Sequence, residues 1–311
     1  MLKWQIGGVT ITSVMEMEMP IPGQLICAEA SPEAIAPHAW LRPHFADDDG
    51  NIILRIQALV VESEGRRIVV DTCIGNDKPR DIPFWNKMQT TFLTDLESAG
   101  FPRDSIDAVV CTHMHVDHVG WNTMLVDPSE AAGVPGATLA TAAAGADDPL
   151  EKRVWVPTFP NARYHFVSQE LAHWQSADGA EYRRIQADSV RPIIDAGLAD
   201  LVETDHRLTG EVRLFPTPGH TPSHVSVRIS SGGADAVITG DVMHHPVQCA
   251  HPEWNATADS FPEQAHETRR AFLQRYGDRP VLVIGTHFAA PVAGHVVSDG
   301  PVWRFDPHPS A

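Results

Sequence analysis

The 311 residues are 43% hydrophobic and 20% charged, the balance of a globular chain long enough to bury a sizeable core as one large domain or two small ones. A formal net charge of −17 argues against nucleic acid or an anionic membrane surface as a partner. The four cysteines, Cys27, Cys73, Cys111 and Cys249, form no CxxC pair, which argues against a thiolate zinc site and a disulfide framework. The N-terminus lacks a continuous apolar signal region and no stretch is apolar enough to span a bilayer, so a cytoplasmic protein with reduced, buried thiols is expected.

Residues 4–14 alternate between apolar and polar and are expected as a first strand. Residues 52–61 and 67–70 predict two more, with Glu64-Gly65 between them as a hairpin turn. The Pro-rich segment between the first strand and this hairpin (about 15–50) carries Pro20, Pro22, Pro32, Pro37 and Pro43. It reads as irregular, with short helices near Ser31 and His38. The spacing of Met88, Phe92, Leu93 and Leu96 predicts a helix over 86–99, ended by Gly100. Ile106 to Cys111 reads as a buried strand. Residues 127–150, rich in Ala, Gly and Pro, read as a solvated insertion loop, with a lid as the alternative. Beyond it a strand is expected at 162–167, helices near 168–176 and 180–196, and strands at 211–216, 223–229 and 236–239. A helix at 262–276 and a strand at 281–285 follow. Two strand-rich halves, each with helices, fit an α/β fold with a sheet-on-sheet core and helices outside, as a single domain over 1–311.

The run Thr112-His113-Met114-His115-Val116-Asp117-His118 starts where the buried strand 106–111 ends. Neutral imidazoles and a carboxylate are good ligands for zinc and similar divalent ions. They cannot all reach one ion from a regular strand or helix. On a tight loop, His113 and His115 can bind one metal while Asp117 and His118 turn to a second. Three further motifs sit at strand ends: Pro218-Gly219-His220-Thr221, Thr239-Gly240-Asp241 and Gly285-Thr286-His287. Buried strand ends are poor places for lone imidazole or carboxylate groups, and a shared metal site accounts for all of them. Asp71, at the end of another strand, either orients a ligand imidazole or caps the turn that follows.

In these residues the chain resembles the metallo-β-lactamase fold superfamily, whose pattern is HxHxDH, a distant His, a bridging Asp and a last His. The resemblance implies an αββα sandwich and two divalent ions, zinc by default, with iron, manganese or cobalt compatible. It assigns His113, His115 and His220 to one ion, Asp117, His118 and His287 to the other, and Asp241 to both. An aspartate at 241 speaks against β-lactam hydrolysis, since zinc β-lactamases typically lack the bridging aspartate. Glyoxalase II-type enzymes carry a helical C-terminal domain for which this chain leaves no room, and RNase Z-type nucleases carry basic surface and an exosite arm that are not evident here.

The closest style of member is the group of N-acyl-homoserine lactonases and methyl parathion hydrolase. That implies hydrolysis of lactones or carboxylic esters by a metal-bridging hydroxide, with a phosphotriesterase as the alternative and a non-catalytic metal-binding protein as the reading from another class. Asp117 is the expected proton acceptor. His244 stands where such lactonases commonly place a tyrosine that contacts the substrate carbonyl, and it is expected to donate in its stead. A dimer through the N-terminal segment is also implied. Phe84, Trp85, Trp121 and Phe288 are candidates to line an apolar pocket, each weighed against a place in the core. His224 reads as structural or as a support behind a ligand, and His245 as packed or outward-facing. His38, His44, His165, His173 and His251 read as ordinary.

Overall fold

The first stretch of alternation is two strands rather than one. In the computed structural model, which describes residues 1–140, 152–177 and 179–307, β1 (Leu2–Ile6) turns at Gly7-Gly8 into β2 (Val9–Ile21), antiparallel, with Ile6 opposite Val9. The turn needs glycine: Gly7 has φ of 56°, and a Cβ there would lie 2.3 Å from the Ser231 carbonyl oxygen. Period-2 patterning continues through such a turn, so the alternation alone does not reveal it. After β2 comes the Pro-rich segment, which carries the short helix α1 (Pro32–Ile35), capped by Ser31 Oγ accepting from Ala34 N at 3.3 Å. A turn of 3₁₀ helix at Ala39–Leu41 matches the expectation near His38. β3 (Ile52–Ser63) follows.

The chain divides into two compact units, one made of Met1–Gln57, Glu62–Glu64 and Thr204–Ala311, the other of Ala58–Val61 and Gly65–Glu203. In the second unit β4 (Arg66–Val70) follows the hairpin, whose Glu64 and Gly65 both take positive φ, 52° and 77°. The helix expected over 86–99 is confined to α2 (Phe92–Ser98), with Gly100 beyond it at φ 91°. The residues before it form a backbone ladder instead: Lys87 N donates to Lys78 O, Asp77 N to Met88 O, and Thr90 N to Asn76 Oδ1. Helical spacing was present there, but the chain spends those amides on residues 76–78.

β5 (Ala108–Val110) is followed by β6 (Thr123–Val126), β7 (Thr138–Leu139) and β8 (Val154–Pro157), a small antiparallel sheet in the order β6-β8-β7. None of these last strands was expected. β7 lies in the stretch read as an insertion loop, and residues 141–150 of that stretch lie outside the described residues. β9 (Arg163–Val167) leads into α3 (Ser168–Ser176), then α4 (Ala180–Ile185), α5 (Arg191–Asp195) and β10 (Ala199–Val202). The larger sheet here runs β4-β5-β9-β10, all parallel.

The helix expected over 180–196 is broken by a π-helical segment at Gln186–Val190. Pro192 explains the break, because its ring cannot coexist with an ordinary helical bond to the carbonyl of residue 188. That freed oxygen accepts from Lys78 Nζ at 3.1 Å and from Thr123 Oγ1.

The remainder of the first unit holds β11 (Val212–Pro216), β12 (Val225–Ser231), β13 (Ala234–Ile238), α6 (Val247–Ala250), α7 (Pro262–Tyr276), β14 (Val281–Ile284), β15 (Ala293–Asp299) and β16 (Val302–Pro307). The sheet order is β11-β12-β13-β14-β15-β16, with only the β13–β14 pair parallel. Phe45, Phe288 and Phe305 pack edge to face with centroids 5.0–6.5 Å apart. Phe288 is thus core rather than pocket lining, and so is Trp121, stacked on Phe92 and buried. Phe84 is exposed and Trp85 largely buried. The expected α/β class with mixed sheets is what the chain forms. All four cysteines are free and buried, and burial raises the Cys27 and Cys249 thiols to about 12. No helix of the described residues is long and apolar enough to cross a membrane.

Candidate metal centre

In the second unit the histidine run leaves β5 beside the end of β4, where Val70 pairs with Val110. Asp71 extends that pairing, its N–H donating to Val110 O at 2.9 Å, and turns its carboxylate into the loop. Its Oδ1 accepts from Thr112 N at 2.8 Å, and its Oδ2 lies 3.0 Å from His118 Nδ1. It lies behind the His118 ring, as one of the two roles weighed for it requires, and it holds the Thr112 backbone rather than capping the turn that follows it. Thr72 N donates to His118 O at 2.8 Å and Gly120 N to Cys73 O at 2.8 Å, which closes the loop onto residues 72–73. Only glycine fits at 120, because a Cβ would stand 1.9 Å from the Ile74 oxygen.

The hydroxyl of Thr112 donates to Asp71, so its oxygen receives the proton of His113 Nδ1 at 3.1 Å. The lone pair of His113 then sits on Nε2, which lies 3.0 Å from His115 Nδ1. The His113 and His118 rings have centroids 3.9 Å apart, and His118 Nε2 is 3.6 Å from Asp117 Oδ1. His113 and His118 are buried, while His115 and Asp117 are half-buried.

In the first unit the corresponding groups converge on Asp241. This residue follows β13 through Gly240, at φ 55°, and its N–H donates to His224 Nε2 at 2.8 Å. His224 Nδ1 in turn faces Thr217 O at 3.0 Å and Thr217 Oγ1 at 2.9 Å, so His224 is a support behind Asp241 rather than a ligand. Three imidazoles reach the Asp241 carboxylate. His287 Nε2 is 3.1 Å from Oδ1, and on Oδ2 His244 Nε2 is at 3.1 Å and His220 Nε2 at 3.4 Å.

Two of these rings are held from behind. His287 Nδ1 donates to Arg55 O at 3.0 Å, and His220 Nδ1 lies 2.8 Å from Asp259 Oδ1. Asp259 is fixed by Ala256 N at 2.9 Å and Arg269 at 3.2 Å. Burial tends to raise its carboxyl, but the His220 hydrogen bond and the Arg269 guanidinium help hold it below the usual carboxylate range. Burial lowers His220 to about 4 against the pull of Asp259 and Asp241, so the ring is neutral at pH 7. The His220 turn depends on Gly219, where a Cβ would lie 2.3 Å from Ala265 N.

His220, neutral and giving up its Nδ1–H to Asp259, points a bare Nε2 lone pair at a carboxylate that is also an acceptor. At 3.4 Å that contact is repulsive unless a cation lies among the donors. The donor set therefore fits divalent metal ions of the zinc type, and His220, Asp241 and His244 by themselves form a grouping compact enough to hold one. Each sequence-expected ligand has its place: His113, His115, Asp117 and His118 lie together in the second unit, and His220, Asp241 and His287 in the first. The supports Asp259 and Arg55 were missed. They come from remote segments with no motif of their own, although Arg55 sits in the strand expected at 52–61.

A sequence model of the metallo-beta-lactamase superfamily matches residues 53–287. Among solved structures, AidC, a dizinc quorum-quenching lactonase solved with a product bound, is 19% identical, with a TM-score of 0.75 over 98% of this chain and 96% of that one. The hydrolase AbOPH of the beta-lactamase superfamily is 20% identical, with a TM-score of 0.76 over 99% and 97%. A probable metal-dependent hydrolase from Staphylococcus aureus is 17% identical, with a TM-score of 0.68 over 98% and 99%. No curated protein matched the sequence. The matched span runs from β3 to the last of the histidine motifs, and it takes in every residue of both clusters: the chain belongs to the metallo-β-lactamase superfamily.

Proposed function

We propose that this chain is a hydrolase of lactones or carboxylic esters that works with two divalent metal ions, zinc foremost. His113, His115 and His220 would hold one ion, Asp117, His118 and His287 the other, and Asp241 both. The observation that carries the reading is the convergence of three imidazole Nε2 atoms on the Asp241 carboxylate, at 3.1, 3.1 and 3.4 Å. Such ions, when bound, activate water at neutral pH and polarise the group under attack.

The residues supply the rest. Asp117, half-buried next to His118, accepts the proton from the attacking water and returns it to the leaving alkoxide. His244, whose Nδ1 has no hydrogen-bond partner among the described residues, donates to the substrate carbonyl. AidC is named a lactonase, which supports assaying lactones first.

The test is metal analysis of the purified chain with lactones, aryl esters and phosphotriesters assayed side by side. Two metals per chain and loss of every activity in Asp241→Ala are expected. A single metal, or full activity in that variant, refutes the reading. Faster turnover of phosphotriesters than of any ester would move the assignment to the organophosphate side. Two metals with no turnover of any substrate would make the chain a metal-binding protein.

A further inference from the structure

His115 is the half-buried imidazole of the second unit's cluster, and a helix packs against it. Glu170, in the first turn of α3, is 1% exposed. A carboxyl group is costly to bury without partners. Its Oε1 accepts from Trp174 Nε1, one helical turn on, at 2.7 Å, and from the backbone N–H of Met114 at 3.4 Å. Met114 is the residue between the ligands His113 and His115. Trp174, so fixed, lays its ring against His115 with centroids 5.1 Å apart at 67°, and Tyr182 and His173 also pack on it, at 4.5 and 5.1 Å. One buried carboxyl thus grips the metal loop by its backbone and the His115 ring through an indole.

We propose that Glu170 is a positioning residue for His113 and His115, acting through the Met114 N–H and the Trp174 ring. The inference rests on the reading of these histidines as metal ligands, and it concerns their geometry rather than the substrate. A ligand ring left to rotate binds its ion more weakly, and loss of such outer supports typically costs about 10- to 100-fold in metal affinity. Glutamine keeps an oxygen in place for both donors, whereas alanine removes it.

The experiment is competition between the full-length chain and a chromophoric chelator for Zn²⁺ alone, with no substrate present. Circular dichroism of the metal-free protein checks the fold. Glu170→Ala is expected to lose about 10- to 100-fold in zinc affinity while its metal-free spectrum is retained, and Glu170→Gln to stay within about threefold of the parent. Trp174→Ala, which leaves the carboxyl group in place, is expected to weaken zinc by about tenfold, with Trp174→Phe closer to the parent; this pair decides the matter if Glu170→Ala does not fold. Unchanged affinity in both alanine variants overturns the proposal. So does an equal loss in Glu170→Gln and Glu170→Ala, because that would assign the effect to charge rather than to position. If the parent binds zinc and the variants fall in the expected order while no ester is hydrolysed, the activity proposed above fails and this inference stands. A parent that binds no zinc removes both.

Discussion

The polar side of the centre is decided by which ring nitrogen each histidine commits to its surroundings. His113, His220 and His287 each spend Nδ1 on a neighbour: the Thr112 hydroxyl, the Asp259 carboxylate and the Arg55 carbonyl. Their Nε2 atoms are what remains for a metal. His244 differs. Its Nε2 lies at Asp241, its Nδ1 has no hydrogen-bond partner among the described residues, and its ring runs parallel to His287 with centroids 5.7 Å apart. If it contacts substrate, His244→Tyr and His244→Ala should change the ratio of kcat/KM between lactones and aryl esters by tenfold or more, a difference of about 1.4 kcal/mol in transition-state binding. Both variants should retain the parent's metal content, as read by elemental analysis of the purified proteins. Loss of one metal would instead place His244 among the ligands.

Among the elements, the broken helix between α4 and α5 has the clearest physical logic. Pro192 releases the carbonyl of Asp188, and the buried side chains around it use the opportunity. Asp188 is fully buried and takes both guanidinium nitrogens of Arg80, at 2.7 and 2.9 Å, with the Lys78 ammonium 3.6 Å away. Burial opposes ionisation of this carboxyl, but Arg80 and Lys78 outweigh it and hold it below its ordinary range. Asp188→Ala would leave the buried Arg80 guanidinium without its carboxylate, and a loss of about 3–5 kcal/mol is expected in urea unfolding. Lys78→Met should cost distinctly less, because the Arg80–Asp188 pair survives it. Equal losses would show that Lys78 rather than Arg80 carries the cluster.

For the whole molecule, the residues proposed as metal ligands were legible because they lie in short motifs that follow β5, β11, β13 and β14. The rest of the site was not. Glu170 and Asp259 reach their histidines across 56 and 39 residues to Met114 and His220 respectively, a closeness that only folding creates. The small sheet β6-β8-β7 escaped because strands of two to four residues are too short for periodicity to register. The turn at Gly7-Gly8 escaped because alternation runs through it unchanged.

Another whole-molecule property follows from His245, which is fully buried and neutral: Nε2 donates to Phe45 O at 2.7 Å and Nδ1 accepts from Val247 N at 3.2 Å. Burial lowers it to about 4 from 6.5. The unfolded chain therefore takes up this proton at higher pH than the folded one. Stability should fall as pH drops from about 6.5 to about 4, by at most about 3 kcal/mol from this residue, with no contribution above that window. His245→Gln should flatten that part of the stability–pH curve in chelator-treated protein, whatever its effect on stability at pH 8. An unaltered slope would assign the acid sensitivity elsewhere.

The buried amine of Lys78 has a chemical consequence. It is wholly enclosed, set 3.9 Å over the Trp155 ring, and burial brings it down to about 7 against the pull of Asp188. Lys3, Lys87 and Lys152 are exposed. An acylating reagent at neutral pH should therefore modify those three in the native protein and spare Lys78, even though a large share of its amine is unprotonated and nucleophilic. Modification at Lys78, followed by mass spectrometry of peptides, would then count only molecules in which the second unit has opened, a clock for local unfolding that the sequence supplies without any engineered probe.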